Sequence, residues 1–205
     1  MRTLVIDTAT EACSVALFDD GALQGGDYRH LARGHAEALV PMIAALPGRG
    51  KADRIAVALG PGSFTGLRVG LAAAKALALA WQAELVGYST LALVAAMARG
   101  GDSKPVGVAM IGGHGEWFVA EFSADGAPQG KVASLPPAAA CAAITSELVA
   151  GSQAEALVAA RGHGSARQLW PDARSFACLP PSALSADIAL HYGRAPDAKL
   201  PGTPA

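Results

Sequence analysis

The stretch ALGPGSFTGLRVGLAAAKALALAW, residues 58–81, joins a glycine-rich loop to a helix with almost no polar face. The residues leading into it, RIAVAL at 54–59, read as an apolar strand. Strand, loop and helix start together aim backbone N–H groups and a positive dipole end at one spot, which suits an anion. The strict phosphate templates fail, however. Counted from Gly60, a GxxxxGK loop meets Thr65 and Gly66 where glycine and lysine are required, and a GxGxxG loop meets Thr65 in place of its third glycine. Two readings stand: a tight turn with Ser63 or Thr65 capping the helix, or a nucleotide-facing loop. The second reading uses Gly60, Gly62, Ser63 and Thr65 with Asp7, Thr8 and Thr10 of the DTAT turn. Ala9 stands there where close phosphate approach favours glycine, which predicts weak contact.

Outward from the loop, RTLVID (2–7) and CSVALF (13–18) read as strands, followed by the turn signal DDG and a third strand ALQGGDYR. A helix is expected from about residue 33 to 46, another from 66 to 82, a short strand ELVG, and a helix from 90 to 99. The order is βββαβαβα, an α/β class. Composition resets at RGGDSKP, dividing a first lobe, 1–102, from a second, 103–195. The second lobe opens with strands at 105–111 and 116–122 joined by GGHG. Helix is expected near 137–150, strand near 156–160, helix near 182–194, and a disordered tail over 196–205.

The 205 residues are 52% hydrophobic, ample for a core. Sixteen Lys and Arg against 17 Asp and Glu leave a net charge of -1, and only 5% of residues are aromatic. Neither a phosphate-tracking surface nor base-stacking platforms are expected, so the chain alone should bind nucleic acid poorly, and if RNA is the substrate a partner must supply most of the grip. Cys13, Cys141 and Cys178 form no CxxC pair, which fits a reducing compartment and argues against a zinc site. The first apolar run stops at Asp7, too short for a signal core, and the uncharged region 85–98 falls short of the roughly 20 residues that span a bilayer. A cytoplasmic protein without membrane association is expected. His30 and His35, if on one helix, lie about 140° apart, and the other histidines are isolated in sequence. No metal site and no catalytic residue are expected.

The two helices flanking the loop lack a wet stripe. On a helical projection Leu67, Gly70, Leu71, Ala74, Leu77, Ala78 and Trp81 share one face and Arg68, Ala72, Lys75, Leu79 and Gln82 the other. The earlier helix puts Ala36, Val40 and Ile43 on one side and His35, Leu39, Met42 and Leu46 on another. Two adjoining apolar helices predict a second surface covering them, either another polypeptide or the chain's own second lobe or helices.

RTLVIDTATEACSVALF, the HAEALVPM run from His35, GPGSFTGLRVGLAAAKALALA and VGYSTL together resemble the TsaB (YeaZ) family. The likeness is dense over residues 1–95 and thins afterwards to GEWFVAEF. It implies an actin-like, Hsp70-like (ASKHA) fold of two RNase H-like lobes. It also implies a dimerisation subunit of the machinery making N6-threonylcarbamoyladenosine at position 37 of tRNA, paired with a catalytic paralogue, TsaD, and joined by an ATPase, TsaE. The paralogue's HxxxH metal pair falls here on Thr90 and Val94, which implies a chain that kept the scaffold without the reaction. No cofactor is then expected on this chain alone, with ATP or ADP at the interface of the complex. Gly112, Gly113 and His114 depart from the family's Asp-Ala-Arg, and RAPDAKLPG stands in place of its C-terminal element.

The resulting expectation is a non-catalytic subunit whose His35, Leu39, Met42, Leu46, Arg68, Leu71, Lys75 and Leu79 meet the partner's helices, or a second copy of itself. The rival is an ASKHA-type ATPase or small-molecule phosphotransferase using Asp7, Thr10 and the 60–66 loop. A metallopeptidase reading lacks a metal site to stand on.

Overall fold

The computed structural model describes residues 1–193. Strands β1 (Arg2–Asp7), β2 (Ala12–Asp19) and β3 (Ala22–His30) form the expected antiparallel meander, with Arg2 opposite Asp19 and Ala12 opposite His30. Asp20 and Gly21 both take positive φ, 46° and 80°, as a two-residue hairpin of right-handed twist requires. Helix α1 (His35–Ala45) leads to β4 (Arg54–Ala58), helix α2 (Phe64–Trp81) to β5 (Glu84–Tyr88), and both strands run parallel to β1.

Along β1 the side chains alternate. Leu4 and Ile6 pack with Leu39, Met42 and Leu71 of α1 and α2, whereas Val5 packs on the other face with Tyr88, Leu93 and Phe176. Helix α3 (Thr90–Arg99) explains its own lack of charge: Leu93 joins the first lobe's core while Leu91, Val94 and Ala98 join the second's. It is clasped from both sides. Ser89 caps it, and Gly100 in the left-handed conformation ends it.

The second lobe holds the hairpin β6 (Val106–Gly113) and β7 (Glu116–Phe122), then β8 (Ala133–Leu135), α4 (Pro137–Ala143), β9 (Leu148–Ala150), α5 (Ala154–Arg161) and β10 (Ser165–Arg167). Its sheet order is β10-β9-β6-β7-β8, and the first sheet's is β11-β5-β4-β1-β2-β3, where β11 is Leu184–Ser185. Each lobe therefore has an antiparallel three-strand meander continued by two parallel strands on the far side of its first strand. That repeat is the two-lobed, RNase H-like, ASKHA-type α/β architecture. After β10 the chain returns to the first lobe, pairing Leu184 with Tyr88.

Three expected elements differ. The helix near 137–150 stops at Ala143, because the Glu121 carboxylate captures the N–H groups of Thr145 and Ser146 and the chain resumes as β9. The strand near 156–160 is helix α5, which turns Ala154 and Leu157 into the core and ends on left-handed Gly162. The helix near 182–194 is a 3₁₀ turn at Pro181–Ala183 and β11, with no helix after it among the described residues. A strand edge at Tyr88 was available to pair it, which no local pattern shows. The tail at 196–205 lies outside the described residues. Helix α2 has the length and apolar composition to cross a membrane, yet it packs against β1, β4 and β5.

Candidate functional site

The glycine loop is pressed onto the first turn. Ser63 N donates to Ala9 O at 2.7 Å and Thr8 Oγ1 to Gly66 O at 2.7 Å. A Cβ on Gly62 would overlap the Ala9 carbonyl, and one on Gly66 the Thr8 carbonyl. These glycines serve backbone-on-backbone contact, which uses up the approach a phosphate would need. Ser63 is the N-cap of α2, its Oγ 3.3 Å from Gly66 N, so of the two capping candidates Ser63 is the one used.

Asp7 and Thr8 are correspondingly interior, 0% and 2% exposed. Asp7 Oδ1 accepts from Ala9 N at 3.0 Å and Oδ2 from the Tyr88 phenol at 3.1 Å. Burial pushes its carboxyl up to about 7, against the opposing pull of those two hydrogen bonds. The same burial and the neighbouring carboxylate raise the Tyr88 phenol well above its ordinary value. Of the seven residues of the nucleotide-facing reading, Asp7 and Thr8 are thus sealed away and Gly60 is packed beneath the His191 carbonyl. Thr10, Gly62, Ser63 and Thr65 border open space.

That space is a cleft of about 1180 Å³ between the lobes. Its walls are the β1–β2 turn, the loop entering α1, the first turns of α2, the β6–β7 turn at Ile111–His114, and Tyr192. His35 closes one corner, its Nε2 2.8 Å from Thr10 O. At the mouth, the Arg68 guanidinium carbon stands 3.6 Å over the Phe64 ring. The divergent Gly112–His114 segment is the tip of the β6–β7 turn, with Gly113 and His114 at φ 79° and 53°.

The helix faces require a correction. Leu39, Met42, Leu46 and Leu71 are 1%, 0%, 6% and 8% exposed and belong to the first lobe's core, so they are not available to a partner. Their i, i+3, i+4, i+7 spacing with Ile43 already marks the stripe that meets the sheet. The open faces are Ala36, Val40, Pro41 and Ala44 on α1 and Arg68, Ala72, Lys75, Ala76 and Leu79 on α2. Val40 is 62% and Leu79 84% exposed, and the two helices pack against each other. Val40 is an exposed apolar residue that sequence reasoning passes over, although it lies outside that stripe. Of the expected eight, Arg68, Lys75 and Leu79 face outward and His35 is half-buried at the cleft.

His30 ends β3 and His35 begins α1, so the one-helix geometry does not apply to them. Among the described residues no group of three or more His, Cys, Asp or Glu gathers as a metal would need. Thr90 and Val94 are both fully buried in α3.

The profile of the family described as TsaD, tRNA N6-adenosine threonylcarbamoyltransferase, matches residues 29–162. The chain is 40% identical over 131 residues to the tRNA threonylcarbamoyladenosine biosynthesis protein TsaB of Escherichia coli (strain K12), covering 61% of this chain and 56% of that protein. It is 38% identical over 104 residues to the protein of the same name from Haemophilus influenzae, covering 46% and 42%. The chain spans about half the length of the curated relatives it matches. A crystal structure from Pseudomonas aeruginosa, of an uncharacterized protein with similarity to peptidase YEAZ, superposes with a TM-score of 0.72 at 30% identity, covering 85% of this chain and 87% of that one.

Proposed function

Because this chain belongs to the TsaB (YeaZ) branch of the TsaD family, we propose that it is a non-catalytic scaffold in threonylcarbamoylation of tRNA adenosine 37. It acts in the cytoplasm by binding and stabilising a TsaD-type catalytic paralogue, with a TsaE-type ATPase joining the pair and ATP or ADP held at the interface of the complex. It meets tRNA through that complex.

The observation carrying this reading is the open face of α1 and α2. Val40, Pro41 and Ala44 are exposed on α1 and Ala72, Ala76 and Leu79 on α2, two helices in contact with each other, and Leu79 is 84% exposed. Full burial of one such leucine is worth about 2 kcal/mol, so a partner's helix pair laid across this face has a driving force. The same face admits a second copy of the chain when the paralogue is absent. The non-catalytic role is supported by the sealed Asp7 and by the loop pressed onto Ala9.

Mixed with the paralogue, the purified chain should co-elute from a sizing column and show no ATP turnover by itself. Val40→Asp or Leu79→Asp should end co-elution. Turnover by the chain alone that disappears in Asp7→Ala would favour the ATPase or phosphotransferase reading instead.

A further inference from the structure

The strap after β11 touches three parts of the molecule at once. Ile188 and Leu190 pack on the first lobe's core, and His191 N donates to Leu59 O at 2.8 Å just before the glycine loop. Gly193 is so close to the second lobe that a Cβ there would stand 2.5 Å from the Phe118 ring and 2.8 Å from Pro61. Between these anchors, the Tyr192 phenol accepts from Arg68 Nε at 3.2 Å and its ring lies 4.9 Å from that of Phe64.

Arg68 is an exposed, long side chain on the open face of α2, where such a group is ordinarily dispersed over many rotamers. Here it is held at Nε by Tyr192 and beneath its plane by Phe64. Neither contact uses the guanidinium's terminal N–H groups. Helix α2 carries no acidic residue, and among the described residues Arg68 makes no ion pair. A guanidinium fixed in this way, with its fork unspent, presents two parallel donors to a carboxylate at low entropic cost.

We propose that Tyr192 is a positioning residue for the partner seam, holding Arg68 so that it receives a carboxylate of the partner chain at the cleft end of α2. Because Tyr192 is carried on the strap that also grips Phe118, the setting of the two lobes and the readiness of the seam are tied through one side chain. This inference rests on the partner-binding reading above.

Two measurements test it. On the chain alone, the Arg68 Nε–H should exchange with solvent at least about tenfold faster in Tyr192→Phe than in the parent, as read by nitrogen-detected NMR. With the purified TsaD-type paralogue, Tyr192→Phe should raise Kd about threefold and Tyr192→Ala about tenfold, while in an Arg68→Met background Tyr192→Ala should change nothing further. Unaltered melting temperatures show that the variants are folded. Unchanged exchange, unchanged Kd, or an equal penalty with Arg68 already removed overturns the proposal while leaving the partner-binding reading intact. Failure of the parent chain to bind the paralogue overturns both.

Discussion

The Tyr88 phenol, at the end of β5, donates a 3.1 Å hydrogen bond to Asp7 Oδ2 at the end of β1, across the intervening strand β4 and with both side chains fully enclosed. An aspartate at the tip of the first strand, next to a glycine loop, has the sequence position of a phosphate-site acid. Here its two oxygens are taken by the Ala9 N–H and the Tyr88 phenol, beneath the protein surface.

Stability should therefore carry a pH signature from Asp7. Its folded pKa of about 7 lies above the ordinary 3.8, so the folded chain holds a proton that the unfolded chain releases. Below about pH 4 both states are protonated and Asp7 adds no dependence. Between there and pH 7 the unfolded state is increasingly favoured, and above pH 7 the loss levels off at a few kcal/mol, since each tenfold difference in proton affinity between the two states is worth about 1.4 kcal/mol. Asp7→Asn keeps an acceptor for Ala9 N and cannot ionise. Calorimetric melting from pH 4.5 to 8 should show the parent falling relative to this variant up to neutrality, and then running parallel.

Gly62→Ala should be among the most damaging single-methyl additions to this chain. The new Cβ would overlap the Ala9 carbonyl and force the loop off the first turn, which also breaks the 2.7 Å Ser63 N to Ala9 O bond. Urea unfolding is expected to show a loss of about 3 kcal/mol or more, against less than about 0.5 kcal/mol for Thr65→Ala on the exposed side of the same loop. Equal stability of the two variants would mean that the loop is free to move.

The two faces of α1 should respond oppositely to charge. Met42→Asp places a carboxylate in the core, where Met42 is 0% exposed, and should leave no folded protein to purify. Val40→Asp, at a position 62% exposed, should melt within a few degrees of the parent yet fail to co-elute with the paralogue. Co-elution of Val40→Asp and Leu79→Asp at parental strength would remove the helix face as the contact surface.

Much of the first lobe was legible along the chain. The alternation in RTLVID and CSVALF, the DDG turn and the step from strand through glycine loop to helix predict β1 to α2 within a few residues. Motif density over the same region also points to the family. The second lobe was less legible because its alanine-rich segments carry weak periodicity: α5 and β9 differ from expectation where alanine fits helix and strand alike.

The sequence by itself determined the order of the first elements, the narrowing of the α2 cap to Ser63 or Thr65 and the presence of two charge-poor helices, since turn chemistry and helix capping act between residues a few positions apart. Only the tertiary structure decided which face of those helices is exposed, that α3 is clasped by both lobes, that Asp7 is sealed under Tyr88, and that the segment after β11 returns to hold Arg68 through Tyr192. Each of those depends on which distant segment covers a surface, and a side chain's periodicity says that it will be buried somewhere without saying against what.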